Sequence, residues 1–151
     1  LLDHEGISHT EVKFCNYPDL LRRLATWRSQ GKKIVFTNGC FDLLHAGHVV
    51  YLEKARALGD ILIVGLNSDD SVKNLKGPQR PLMLQGDRAR VLASLSSVDG
   101  VTIFEKETPI DLITAIKPDI LVKGADYTEQ EVVGADFVRS YKGDVVFISI
   151  L

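Results

Sequence analysis

Cysteine is scarce in this sequence: 151 residues contain two, Cys15 and Cys40. Two thiols in a chain with a sizeable core do not make a disulfide framework, and they predict a protein of a reducing compartment, the cytoplasm. Long apolar runs are also missing. Stretches such as Ile61 to Leu66 are far too short to cross a bilayer as a helix. No basic-then-apolar leader opens the sequence, so neither secretion nor a membrane partner is expected. Positive charge is not in excess. Lys and Arg number 18 against 20 Asp and Glu, a formal net charge of -2. That leaves no global basic field to hold a nucleic-acid backbone, and no nucleic-acid partner is expected. Internal repeats and low-complexity tracts are absent. What remains is ordinary for one globular domain with a single core: 45% hydrophobic and 25% charged residues.

Residues 1 to 16 are polar and read as an N-terminal arm, with His4 and His9 in no recognisable arrangement. The domain proper is expected over 17–151. It opens with an amphipathic helix from Asp19, whose Leu20, Leu21, Leu24 and Trp27 recur at helical spacing before Gly31. Strands and helices then alternate. The runs 33–37, 61–66, 101–104, 120–122 and 145–150 read as strands, and 48–58, 87–95 and 135–141 as helices. Residues 67 to 81, rich in Lys, Gly and Pro, read as a loop. Thr108-Pro109-Ile110-Asp111 reads as a capped helix start with the proline at the first helical position. Strands that are apolar throughout and separated by helices predict an α/β fold, a Rossmann-like parallel sheet with helices on both faces. Ligands of such sheets bind beyond the carboxyl ends of the strands. The loops after Thr37, Leu66 and Val122 lie at those ends.

The first of these loops carries the most information. Thr37-Asn38-Gly39-Cys40-Phe41-Asp42-Leu43-Leu44-His45-Ala46-Gly47-His48 runs from a strand through a turn into a helix. His45 and His48, three residues apart, project from one helical face. At a helix start they stand beside unpaired backbone N–H groups and the positive end of the dipole, which is a site for anions. Gly47 removes a side chain where a phosphate would approach. On the residues alone this is a phosphate site. Cys40 reads as a packing residue.

The second loop, Asn67 to Pro81, brings Lys73, Lys76 and Arg80 to the same sheet edge, and Arg88 opens the next helix. Lys76 and Arg88 read as phosphate-binding cations. Lys73 and Arg80 fit a solvated face as well as a substrate. In the third loop, Leu121-Val122-Lys123-Gly124-Ala125-Asp126-Tyr127, Gly124 permits close backbone approach. That loop reads equally as a plain connection or as part of the site.

The turn with His45-Ala46-Gly47-His48 is the HxGH signature, and it resembles the nucleotidyltransferase superfamily that carries it. The segments Leu75-Lys76-Gly77-Pro78-Gln79-Arg80-Pro81 and Leu121 to Tyr127 make the stretch from about Asp19 to Ile150 similar to the heptose 1-phosphate adenylyltransferases. The resemblance implies transfer of AMP from ATP to a sugar 1-phosphate, D-glycero-β-D-manno-heptose 1-phosphate, with release of pyrophosphate and a Mg2+ requirement met mainly through the nucleotide phosphates. The product, ADP-heptose, would feed lipopolysaccharide core or surface glycan synthesis. It implies His45, His48, Lys76 and Arg88 as catalytic residues. Nucleotide contacts would come from Thr37, Asn38, Gly39, Phe41, Asp42, Gly47, Lys123, Gly124 and Asp126. Asp42 would lie near the phosphates, assisting the metal or orienting a histidine. Asn67, Asp69, Lys73 and Arg80 are the expected substrate contacts, and no protein metal ligands are expected. Related enzymes form homodimers and occur with a kinase domain, fused or separate. The family pattern continues past the last strand into a Ser-Thr-Thr segment that contacts ATP, whereas this sequence runs to Leu151.

The chemistry needs no covalent enzyme intermediate. A phosphate monoester has a second pKa near ~6 and is largely dianionic at neutral pH, already a nucleophile. Catalysis reduces to alignment and charge neutralisation. The alternatives are a glycerol-3-phosphate cytidylyltransferase-like enzyme, which shares the histidines, and a nucleotide-binding module without turnover. The absence of G-x-G-x-x-G after the first strand argues against a dinucleotide dehydrogenase.

Overall fold

The computed structural model describes residues 10–150, so His4 and His9 lie outside the described residues. Five parallel strands form one sheet in the order β3-β2-β1-β4-β5: β1 Ile34–Gly39, β2 Ile61–Asn67, β3 Gly100–Phe104, β4 Ile120–Gly124 and β5 Asp144–Ile148. Six helices accompany them: α1 Tyr17–Ser29, α2 Ala46–Ala57, α3 Asp69–Lys76, α4 Gln85–Ala93, α5 Ile110–Ile116 and α6 Ala135–Ser140. The expected Rossmann-like architecture is the one observed. Among the described residues no helix is long and apolar enough to cross a membrane.

Period-two alternation splits the core into two layers. Val35, Leu62, Val64 and Val122 face α2 and α4 through Leu52, Ala55, Leu92 and Ala93. Ile34, Phe36, Ile63 and Leu121 face α1, α5 and α6 through Leu20, Leu24, Ile113 and Val138. Each residue named in these two sentences is at most 1% exposed, so the strands are buried on both faces, as covered parallel sheets require. At Gly65 a side chain has no room, since a Cβ would meet the Phe36 ring at 2.7 Å.

Local chemistry moves several boundaries. α1 starts at Tyr17, ahead of Asp19, because the Asn16 side chain caps it by accepting from Asp19 N at 2.9 Å, and Pro18 fits the first turn. The stretch 67–81 is not all loop. Ser68 caps α3 by accepting from Ser71 N, and Val72 is fully buried. α5 begins one residue later than expected, at Ile110, with Pro109 as its cap and no side-chain cap bond from Thr108. The described part of the expected arm packs on the sheet: Phe14 bridges Val101 in parallel register and Cys15 N donates to Val101 O at 2.9 Å.

The sheet order reverses at β1, with β2 on one side and β4 on the other. β1 pairs with β2 along its whole length, from Ile34 to Gly39. With β4 it pairs only at Val35 and Phe36. Beyond Phe36 the two strands separate, and a crevice opens at the carboxyl end of the switch point, the position where such folds bind ligands.

Candidate active site

α2 begins at this crevice. His45 is its cap residue, and the Nδ1 atom of His45 accepts from Gly47 N at 3.0 Å. His48, in the first turn, accepts on Nδ1 from His45 N at 3.3 Å. The ring centroids are 4.1 Å apart, and Phe41 stands edge-on to His48 at 5.8 Å. Each Nδ1 being an acceptor, the neutral rings carry their protons on Nε2. Neither Nε2 has a protein partner among the described residues, and His45 is exposed while His48 is half-buried. Two Nε2 donors are thus left free by rings whose Nδ1 atoms are tied to the backbone. The amides of His45 and Gly47, expected to be open, are occupied by the imidazoles. Burial, the neighbouring His45 and Lys76 hold His48 below the ordinary histidine range.

A cleft of about 350 Å³ is lined by Asn38, Gly39, Cys40, Asn67, Lys76, Lys123 and Tyr127, together with Glu107, Thr108 and Glu131, and Lys76 links it to His48. Lys76 ends α3, and its field reaches His48. The Lys123 ammonium donates to Asn38 O at 3.2 Å and sits 4.6 Å from the Tyr127 ring centroid. Burial pushes its pKa down, against the pull of Cys40 and Asp126. Gly124 makes room for Asp126, whose Oδ1 would lie 2.6 Å from a Cβ there.

Several expected contacts are engaged elsewhere. Arg88 is the main correction. It is 1% exposed and spends its guanidinium on Met83 O (2.9 Å), Cys40 O (2.7 Å), Asn67 O (2.9 Å) and Asp69 Oδ1 (2.7 Å). It ties together the loops after β1 and β2 and the approach to α4, and it is not a free cation in the cleft. Asp69 is accordingly its counter-ion. The Asp42 side chain is fully buried and accepts from Arg80 Nε (2.9 Å), Leu82 N (2.7 Å) and Met83 N (3.0 Å). Burial alone would raise its pKa, but these donors outweigh that and hold the carboxyl below the usual range. Asp42 therefore orients no histidine. It anchors the 80–83 loop and holds Arg80 by its Nε, while the Arg80 side chain stays 35% exposed. Phe41 and Leu43, on either side, have φ of 47° and 60°, strained for such side chains and held by that anchor. Thr37 is buried, its hydroxyl bonded to Tyr51 and Val122 O. Asn67 lines the cleft, although its amide nitrogen donates to Ser71 Oγ at 2.8 Å. Lys73 faces a separate depression with Asp69, Gln85 and Glu105.

Tyr127, Thr108, Glu107 and Glu131 are among the cleft residues that the sequence does not assign to a site. Tyr127 belongs to the Leu121 to Tyr127 segment without a role of its own there, and Thr108 reads as a helix cap. The signal available for Tyr127 is its place four residues after Lys123, in the loop at the carboxyl edge of the sheet. Thr108 had none, because its place depends on how the β3 to α5 connection returns over the sheet edge.

Over residues 36–147 the chain matches the family described as cytidylyltransferase-like. Bifunctional protein HldE of Methylobacillus flagellatus is 60% identical over 139 residues, which cover 92% of this chain and 28% of that protein. The protein of the same name from Wolinella succinogenes is 62% identical over 140 residues, 92% of this chain and 29% of that one. The chain thus spans under a third of the length of these relatives. The crystal structure of a lipopolysaccharide core biosynthesis protein from Thermoplasma volcanium GSS1 superposes with a TM-score of 0.66 at 28% identity, covering 80% of this chain and 98% of that one. Pantoate-beta-alanine ligase from Francisella tularensis, at 17% identity and a TM-score of 0.61 over 90% of this chain and 66% of that one, shares the fold alone. The match runs from the middle of β1 into β5 and takes in the whole crevice, so the chain belongs to the cytidylyltransferase-like family of HxGH nucleotidyltransferases.

Proposed function

We propose that this domain transfers AMP from ATP to D-glycero-β-D-manno-heptose 1-phosphate, giving ADP-heptose and pyrophosphate for lipopolysaccharide core or another surface glycan. The observation that carries the reading is the pair of imidazoles whose Nδ1 atoms are fixed by backbone N–H groups, leaving two Nε2–H donors beside Lys76. The identity to proteins named HldE supports the choice of substrates.

In this reading a phosphate monoester oxygen of the sugar attacks the α-phosphorus of ATP. The new O–P bond forms as the α–β bridging bond breaks, and pyrophosphate leaves with the electron pair. The nucleophile is a dianion at neutral pH, so no general base is needed. His45, His48 and Lys76 meet charge developing on the α-phosphate and the leaving group. Lys123, Tyr127 and the backbone of Asn38 and Gly39 form the floor that receives the nucleoside. Mg2+ would be carried mainly on the phosphates, because Asp42 and Asp69 are paired with arginines and the described residues offer no cluster of three or more His, Cys, Asp or Glu side chains to hold it. Bound there, it neutralises phosphate charge. The reaction belongs in the cytoplasm, in a homodimer, alongside a heptose kinase activity in the same or a separate protein.

The test is to incubate the purified protein with ATP or CTP and with heptose 1-phosphate or glycerol 3-phosphate, and to measure pyrophosphate. Release only with ATP and heptose 1-phosphate supports the reading. Release with CTP and glycerol 3-phosphate, or nucleotide binding with no release in any pair, overturns it.

A further inference from the structure

Where β1 and β4 part company, side chains replace the ladder. β1 runs on to Gly39 and β4 to Gly124, yet their mutual pairing ends at Phe36 and Leu121. The next position along is bridged by Thr37 Oγ1, which donates to Val122 O at 2.9 Å. Tyr51 OH lies 2.8 Å from Thr37 Oγ1. The threonine has one hydroxyl proton and gives it to Val122, so Tyr51 must be the donor in the second bond. The chain runs Tyr51 O–H to Thr37 O–H to Val122 carbonyl, and Tyr51 and Thr37 are 3% and 0% exposed. Burial pushes the phenol up to about 12, against the Thr37 bond, so it remains a donor throughout the neutral range.

Tyr51 stands on α2, three residues after His48, and therefore on the same helical face and one turn along. Its hydroxyl joins the histidine helix to β1 directly and, through Thr37, to β4. We infer that Tyr51 is a positioning residue: through Thr37 it holds the width of the β1–β4 crevice and the seat of α2, and so sets the distance from His45 and His48 to the Lys123 side of the cleft. It touches no substrate itself. The inference rests on the proposed transfer reaction for its kinetic form.

Tyr51→Phe keeps the ring and removes the donor. The expected result is a fall in kcat of about tenfold with KM for ATP and sugar phosphate within about twofold, since a small misplacement of reacting groups acts on the transition state. Thr37→Val should do the same, Thr37→Ser should restore wild-type kcat, and the double variant Tyr51→Phe/Thr37→Val should be no worse than the poorer single one. An independent readout is the imidazole nitrogen NMR spectrum: Thr37→Val should shift the His45 and His48 signals, and Thr37→Ser should not. Wild-type kcat in Tyr51→Phe, additive losses, or histidine signals unmoved by Thr37→Val would each overturn the inference. A wild-type protein that releases no pyrophosphate overturns the transfer reaction instead, and the NMR comparison still decides the strut.

Discussion

Replacing Arg88 with methionine separates two roles for a buried cation. The side chain makes four hydrogen bonds, three to the carbonyls of Met83, Cys40 and Asn67 and one to Asp69. Methionine fills most of the volume but satisfies none of the acceptors. A buried acceptor left alone costs about 1–3 kcal/mol, and removing one partner of a buried ion pair about 3–5 kcal/mol. The Asp69 side chain is 23% exposed, so water recovers part of its share. The three carbonyls alone would cost about 3–9 kcal/mol; loop relaxation that lets water reach some of them brings the net loss to the low end, about 3–5 kcal/mol, a large part of the roughly 5–15 kcal/mol that holds a domain together. For a chain of this size that lowers Tm by on the order of 10 °C. Thermal unfolding by circular dichroism gives the shift, and calorimetric titration with ATP well below the melting range gives the affinity of the folded fraction. Arg88→Lys should recover little, because an ammonium cannot span four acceptors in fork geometry. The reasoning is refuted if Arg88→Met melts within about 2 °C of wild type while ATP affinity collapses, the pattern of a ligand-facing cation.

His48→Ala should cut kcat by about 10²–10³ while changing Tm by no more than about 2 °C, since the ring is half-buried and holds one backbone bond; an equal loss of folding and turnover would mark a structural residue. Because burial, His45 and Lys76 depress its pKa, His48 in the free protein contributes stability that is full above the ordinary value of 6.5 and is lost as pH falls through the depressed one. A bound polyphosphate reverses the depression, so ATP binding near pH 6 should take up protons, seen as a buffer-dependent enthalpy in calorimetry; a heat independent of buffer ionisation contradicts this. Lys76→Ala should weaken ATP binding by about tenfold and raise the His48 titration midpoint in NMR, as one charge-assisted contact is lost and one repulsive charge removed; unchanged affinity and midpoint would place Lys76 outside the site.

The sheet was legible because runs such as Ile34-Val35-Phe36 and Ile61 to Leu66 admit one burial pattern, apolar on both faces. The histidine pair was legible for a similar reason, since its spacing and its place after a strand fix where the rings go. α3 was not, because lysines, a glycine and prolines in 67–81 outweighed the Ser68 cap, and an eight-residue helix offers little periodicity. The fate of the charged side chains was least legible. Arg88 finds acceptors on three separated segments and Asp42 finds donors some forty residues away, and no spacing in the sequence reports such meetings. Both were expected beside phosphates. They instead hold the loops that shape the cleft.

The most direct test of the account is a crystal structure of the protein with a non-hydrolysable ATP analogue. The triphosphate is predicted to lie across the start of α2, within hydrogen-bond distance of Nε2 of both His45 and His48 and of the Lys76 ammonium, with the nucleoside over Lys123. Phosphates bound away from both imidazoles, with those rings still facing solvent, would contradict it.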